Sequence, residues 1–171
     1  FALSATIASA DEPVPWSATH GRNMVSEAEN LPVELTEENL LWTQRLRTRY
    51  HYSSPTIAGD LVLFGSDNRG IRDEALHEAV LRRYKPMGGA VLCYELRTGK
   101  LVWELATPGD WSSHFGVCSS PVVEDGRAYV VGALGSVLCL DMDGMADGND
   151  GPFTDEATYF DCFTEDAVFV G

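Results

Sequence analysis

The sequence predicts an all-β chain built from repeated four-stranded antiparallel sheets, and three observations carry that reading. First, apolar residues come in short β-branched runs divided by turn residues. Over 119–140 the runs Val122-Val123, Tyr129-Val130-Val131 and Val137-Leu138 are separated by Glu124-Asp125-Gly126 and by a second Gly-containing turn, a meander at hairpin spacing. Second, the pattern occurs twice: SSPTIAGDLVLFGS at 53–66 matches SSPVVEDGRAYVVGA at 119–133, and AVLCYEL at 90–96 matches SVLCLDM at 136–142. Third, a tryptophan run precedes each copy. Leu40, Trp42 and Thr43 suggest a strand within 39–46, echoed by Leu101-Val102-Trp103-Glu104-Leu105.

Taken in order, residues 1–10, FALSATIASA, are apolar and small and close on Ala8-Ser9-Ala10, the pattern a signal peptidase cuts, so they read as the tail of a secretory signal. A frayed apolar terminus is the alternative. Residues 11–38, with Pro13, Pro15 and Pro32, read as an extended lead-in, and the repeats run over 39–157. The repeat unit is a Trp strand, an SSP strand, a hydrophobic strand and a VLC strand. Its two SSP triplets lie 119 − 53 = 66 residues apart, more than the roughly 40 to 50 residues of one four-stranded propeller blade. An insertion over 70–87 accounts for the surplus: Ile71, Ala75, Ala79 and Val80 recur near helical spacing, and Lys85-Pro86 ends the run, so a short helix is expected there rather than a flexible charged loop. A closed propeller needs on the order of 300 residues. The chain is therefore expected to be an N-terminal fragment of a longer protein, supplying the end of one blade, one full blade and most of another, with two apolar sheet faces uncovered. Residues 158–171 follow no part of the pattern.

The net charge of −14 and pI near 4.5 exclude nucleic acid and anionic membrane as partners, because both select basic surfaces. No run approaches the roughly 20 apolar residues of a membrane-spanning helix. After Arg127 the chain has no Lys or Arg but nine acidic residues, which implies cation binding or a solvated acidic rim. The four cysteines, Cys93, Cys118, Cys139 and Cys162, form no C-x-x-C or haem-attachment spacing. Cys93 and Cys139 hold equivalent repeat positions inside apolar strands, where buried free thiols are expected.

Residues 93–103, Cys-Tyr-Glu-Leu-Arg-Thr-Gly-Lys-Leu-Val-Trp, resemble the tryptophan-docking motif of quinoprotein propellers, A-x-D-x-x-T-G-x-x-x-W, with Cys for Ala and Glu for Asp. Thr98-Gly99 would make the turn between third and fourth strands, and Trp103 would wedge against the next sheet. Together with GRNMVS at 21–26, the two SSP strands and residues 139–157, the chain is similar to an exported bacterial family of PQQ-like β-propeller repeats over roughly 21–157. The resemblance implies a partial β-propeller of about two blades in the periplasm or outside the cell. Its function would be non-catalytic binding or scaffolding, with the remaining blades of a full-length chain, and a protein or carbohydrate-like ligand, as partners. The alternative it implies is part of a PQQ-dependent alcohol or sugar dehydrogenase, and only in that case is PQQ a cofactor.

No catalytic constellation can be assembled: Gly-x-Ser-x-Gly, a phosphate-binding Gly-rich loop and adjacent cysteines are all absent. The residues expected to face a central funnel precede each SSP strand: Tyr50, His51 and Tyr52 in one blade, Trp111, His114 and Phe115 in the other. They would suit a planar or sugar-like ligand by stacking, although such residues also cap blade edges. His20 and His77, without partner spacing, read as surface residues. Ca²⁺ is the candidate ion for the aspartate loop after the second VLC strand, with Asp141, Asp143, Asp147, Asn149 and Asp150 as ligands. The loop fails as an EF-hand, and the alternative is an acidic turn in which Asp side chains cap their own backbone amides.

Overall fold

The computed structural model describes residues 29, 32–48, 51–84, 87–110, 115–143 and 168–170. β1 (Thr56–Ala58), β2 (Leu61–Asp67), β3 (Gly89–Glu95) and β4 (Leu101–Thr107) form an antiparallel sheet in that spatial order. β5 (Val122–Glu124), β6 (Arg127–Val131) and β7 (Val137–Asp141) form a second one. A short strand, β8 (Val168–Val170), adds to the outer edge of the first sheet, pairing Leu105 with Phe169, so a piece of the 158–171 stretch does have a place in the fold.

The two sheets are copies in register as well as in sequence. Thr56 pairs with Leu63 and Ile57 with Val62; 66 residues later Val122 pairs with Tyr129 and Val123 with Ala128. Leu63 opposes Cys93 and Tyr129 opposes Cys139, the same rung in each copy. Each hairpin turns on two residues, but the turns differ: the first has one positive φ, at Gly59 (56°), and the second has two, at Asp125 (50°) and Gly126 (74°). The copies differ between the second and third strands, where residues 68–88 of the first sheet replace the short turn 132–136 of the second. That insertion carries α1 (Glu74–Tyr84), the helix expected from the apolar spacing.

Alternation along the strands sorts side chains onto two faces. Leu63, Val91, Cys93, Trp103 and Leu105 of the first sheet meet Val123, Ala128, Val130, Leu138 and Met142 of the second in one buried core. Val117, in the connection between the sheets, joins them, and Gly65 is bare because Val117 packs where its Cβ would stand. The opposite face of the first sheet presents Val62, Phe64, Leu92, Tyr94, Glu104 and Ala106. Ile71 at the start of the insertion closes a second small core there with Ala90 and Ala106.

Residues 40–48 are not a strand, contrary to expectation. Trp42 is held by its side chain: it stacks on Tyr94 with ring centroids 6.4 Å apart and donates its indole N–H to the Leu96 carbonyl at 2.8 Å. Gln44 reaches the Gly99 carbonyl at 2.8 Å, and Arg72 donates to the Arg45 carbonyl at 2.8 Å. The segment thus lies across the first sheet as a strap, its main chain unladdered. Of the two faces expected to be bare, this strap and the insertion cover most of one.

Candidate functional site: blade junctions and the inner edge

The junction is built from the turn upward. Gly99 N–H donates to the Glu95 carbonyl (2.9 Å), Thr98 Oγ1 donates to the Glu95 carboxylate, and Gly99 adopts φ 67°, which closes the turn between β3 and β4. A Cβ on Gly99 would stand 2.5 Å from the Trp42 ring, so the turn glycine also makes the seat for that indole. Trp103, on β4, repeats the arrangement one sheet further on. It is 1% exposed and donates its indole N–H to the Met142 carbonyl at 2.8 Å. Leu96 and Met142 are equivalent in the repeat, and their own N–H groups donate to the equivalent hairpin carbonyls of Asp60 and Gly126. Trp42 and Trp103 therefore dock in the same way on successive sheets.

Hydroxyls stitch the inner edges. Gly65 N–H donates to Ser53 Oγ (2.9 Å) and Val131 N–H to Ser119 Oγ (2.8 Å), again equivalent pairs. Ser54 N–H donates to Ser120 Oγ (2.9 Å) and Thr56 Oγ1 to the Pro121 carbonyl (2.6 Å), which ties β1 to the start of β5. The SSP triplets are this fastening.

At the loop end the structure divides the predicted funnel residues. His51 tilts onto Phe64 (6.3 Å), which stacks on Tyr94 (5.7 Å, 4° between planes), which stacks on Trp42: a file of rings across the strap face. Tyr52 turns the other way and meets Phe115 edge to face, 5.5 Å apart at 89°. Both rings stay exposed, Tyr52 at 59% and Phe115 at 39%. Tyr50, Trp111 and His114 lie outside the described residues.

Sequence reasoning missed two buried acids. Asp67, fully buried at the end of β2, accepts from Arg69 N–H (2.9 Å) and is ion-paired with its guanidinium at 2.6 Å. Glu104, fully buried on β4, accepts from the N–H groups of Arg72 (2.7 Å) and Asp73 (2.6 Å), which pins the start of α1 to the sheet. A signal existed for Glu104, a carboxylate inside the apolar run LVWELA. His77 is on α1, half-buried, with its Nε2 enclosed, not on the open surface.

Among the described residues Cys93, Cys118 and Cys139 are free thiols, and Cys162 lies outside them. Burial, reinforced by Asp143, pushes Cys93 up to about 12. Burial also pushes Tyr94 up to about 12, with Arg72 opposing and Glu104 adding to the shift. In the aspartate loop, Asp141 Oδ1 accepts from Asp143 N–H at 2.8 Å, the self-capping expected of a turn. Asp147, Asn149 and Asp150 lie outside the described residues, and among those described no group of three or more His, Cys, Asp or Glu side chains is placed to hold a metal ion. No described helix is long and apolar enough to cross a membrane.

No curated protein matches the chain. A protein-family model described as outer membrane protein assembly factor BamB matches residues 80–147, from within α1 through the second sheet. The copied register and the doubled tryptophan docking are consistent with a PQQ-like β-propeller repeat over this stretch.

Proposed function

We propose that the chain is an extracytoplasmic β-propeller module that binds or scaffolds other molecules and is not itself a catalyst. The observation that carries this is the docking of Trp42 on Leu96 in the manner of Trp103 on Met142. Trp42 occupies the station of a fourth strand, so the first sheet is built to receive a preceding blade. The face of the second sheet bearing Val122, Tyr129, Val131 and Val137 is suited to receive a following one. The buried acids support a structural use, since Asp67 and Glu104 bind backbone amides and a neighbouring guanidinium. Ligand binding is assigned to the loop end, where Tyr52 and Phe115 open to solvent. Export is supported by the small-residue pattern of residues 1–10 and by the acidic surface.

The test is to incubate the protein with PQQ and Ca²⁺ and follow quinone absorbance and dye reduction with alcohols and sugars as donors. No turnover is expected. Dye reduction dependent on PQQ would replace this reading with the dehydrogenase one.

A further inference from the structure

Resting on the reading of the chain as a propeller module, we infer that its two open faces are partners for one another. Copies of this chain join head to tail, the second sheet of one against the strap and first sheet of the next, and close into a ring. The chain carries both halves of a junction that it already builds once within itself. In the internal junction Leu63, Val91, Cys93, Trp103 and Leu105 of the first sheet are buried against the second. Tyr129 and Val137, the counterparts of Leu63 and Val91, stand exposed on the outer face of the second sheet, together with Val131. The receiving half shows the same deficit. Val123 is 6% exposed under the internal junction, whereas Ile57, its counterpart on the strap face of the first sheet, is 40% exposed.

The strand count selects the occupant. In the first sheet β4 is the fourth strand, with Trp103 opposite Cys93 and Leu105 opposite Val91. Among the described residues β7 pairs with β6 alone, and the strap pairs with no strand. Aligned on the tryptophans, Trp42 and Gln44 take the places of Trp103 and Leu105. Both donate to carbonyls of the first sheet, at Leu96 and Gly99, just as Trp103 and Leu105 face the second. Laid on β7 of another copy in the register of β3 and β4, the strap puts Trp42 opposite Cys139 and Gln44 opposite Val137 and makes a four-stranded sheet. Any apolar partner could cover Val137, but a second copy also brings a fourth strand already docked through its indole. The contact is heterologous, so it repeats until it closes. With two sheets per copy and 4–8 blades per ring, about two to four copies complete one. The net charge of −14 on each copy opposes the approach, so the contact strengthens with salt and parts on dilution.

The experiment measures the mass of the 171-residue chain by light scattering and native mass spectrometry at about 100 µM, in low and high salt. A discrete species of about two to four times 18.7 kDa, favoured by salt, is expected. Val137→Asp, which puts a charge on the exposed face, and Trp42→Ala, which removes the docking ring, should each give monomer. Their equimolar mixture should give dimer and nothing larger, because one intact strap then meets one intact second sheet. When isotopically labelled Gln44→Cys is mixed with unlabelled Val137→Cys and oxidised, peptides carrying positions 44 and 137 should be linked across copies. Circular dichroism checks the fold of each variant, and the cross-link keeps the docking ring, so it decides the question even where Trp42→Ala fails to fold. Monomer in both salts, a polymer without fixed mass, a folded Trp42→Ala protein that still forms dimer, or absence of the link between positions 44 and 137 would each overturn the inference. PQQ-dependent dye reduction is scored separately: monomer without turnover removes the ring and leaves the module, whereas turnover removes the non-catalytic reading whatever the mass.

Discussion

The two sheets are one design in two environments. At equivalent rungs the first sheet has Leu63, Gly65, Val91 and Cys93, all buried against the second. The second has Tyr129, Val131, Val137 and Cys139, of which Val131 and Val137 are 42% and 74% exposed. The strands are the same and the neighbours are not. Burial in this fold is thus a property of the junction, and a strand's hydrophobicity reports which junction it was made for. The contrast between Gly65 and Val131 makes the point at one position: glycine where Val117 fills the space, valine where no described residue does.

The largest expected effect comes from removing the junction. Trp103→Ala should cost about 3–5 kcal/mol in urea denaturation, the range for deleting a large buried aromatic side chain. Trp42→Ala, at a half-buried position, should cost about half of that. Trp103→Phe keeps most of the packing and gives up the bond to Met142, at about 1 kcal/mol. Equal losses at Trp42 and Trp103 would show that the two junctions are energetically alike and end the comparison.

Next is the swap at the shared rung. A Cβ on Gly65 would lie 2.5 Å from Val117 Cγ1, so Gly65→Val should cost about 1–3 kcal/mol in overpacking. Val131→Gly should cost about 1 kcal/mol, as for an exposed strand position. A loss at Val131 matching a core deletion would mean that the second sheet has a covering partner in solution.

Glu104→Gln tests the strap face. An amide can accept from only one of the two N–H groups at Arg72 and Asp73 and turns a donor toward the other, at about 1–3 kcal/mol. Hydrogen exchange should accelerate through α1 while β5 to β7 keep their protection. Uniform acceleration across both sheets would show that the insertion is no separate unit.

Most of the fold was legible because a repeat gives each strand a second copy to be checked against. The SSP hairpins, the VLC strands and the Thr98-Gly99 turn all stand in the register their alignment implies. The segment around Trp42 misled because its alternation is that of a strand, yet it pairs with no described strand and is held instead by the Trp42 and Gln44 side chains and by the Arg72 bond to the Arg45 carbonyl. Asp67 was hidden for a different reason. A polar residue at a strand end reads as solvent-facing, and nothing local shows that Gly116 from the next connection will close over it. Likewise, consecutive residues His51 and Tyr52 were grouped by position, whereas extended backbone sends neighbours to opposite sides.

Thiol chemistry sharpens the comparison more gently. Cys93 and Cys139 share a rung, yet Cys93 is buried and pushed up to about 12, and Tyr94 beside it is also raised to about 12. A folded-state value above the unfolded one means that the stabilisation is complete below the unfolded value and is lost as pH rises toward the folded one. For Cys93 that window runs from about 9 to about 12, and for Tyr94 from about 10 to about 12. Melting temperature should therefore fall above pH 9, less steeply in Cys93→Ala. Peptide-resolved maleimide labelling at pH 7.5 should modify Cys139 before Cys93. Labelling of Cys93 at the rate of Cys139 would contradict its burial.

The smallest effect concerns the hairpin turns, which differ between the copies: Gly59 alone has a positive φ in the first, and Asp125 and Gly126 both do in the second. Gly59 takes φ 56° at little steric cost, whereas Asp125 takes φ 50°, a region that costs an L-residue about 1–2 kcal/mol and that Asp tolerates better than most. Asp125→Gly removes that strain but loosens the unfolded chain by about 0.5–1 kcal/mol, so the two terms nearly cancel and stability should move by less than about 0.5 kcal/mol. Gly59→Ala carries the reverse pair of terms. No atom lies within 4 Å of the added Cβ, so it meets no clash, and a backbone strain of about 1–2 kcal/mol is partly offset by about 0.5–1 kcal/mol from a stiffer unfolded chain, which leaves a net cost of about 1 kcal/mol. Paired urea melts of the two variants isolate the turn from the junctions, and a gain above 1 kcal/mol in Asp125→Gly would mean that the second hairpin is strained in a way the first is not.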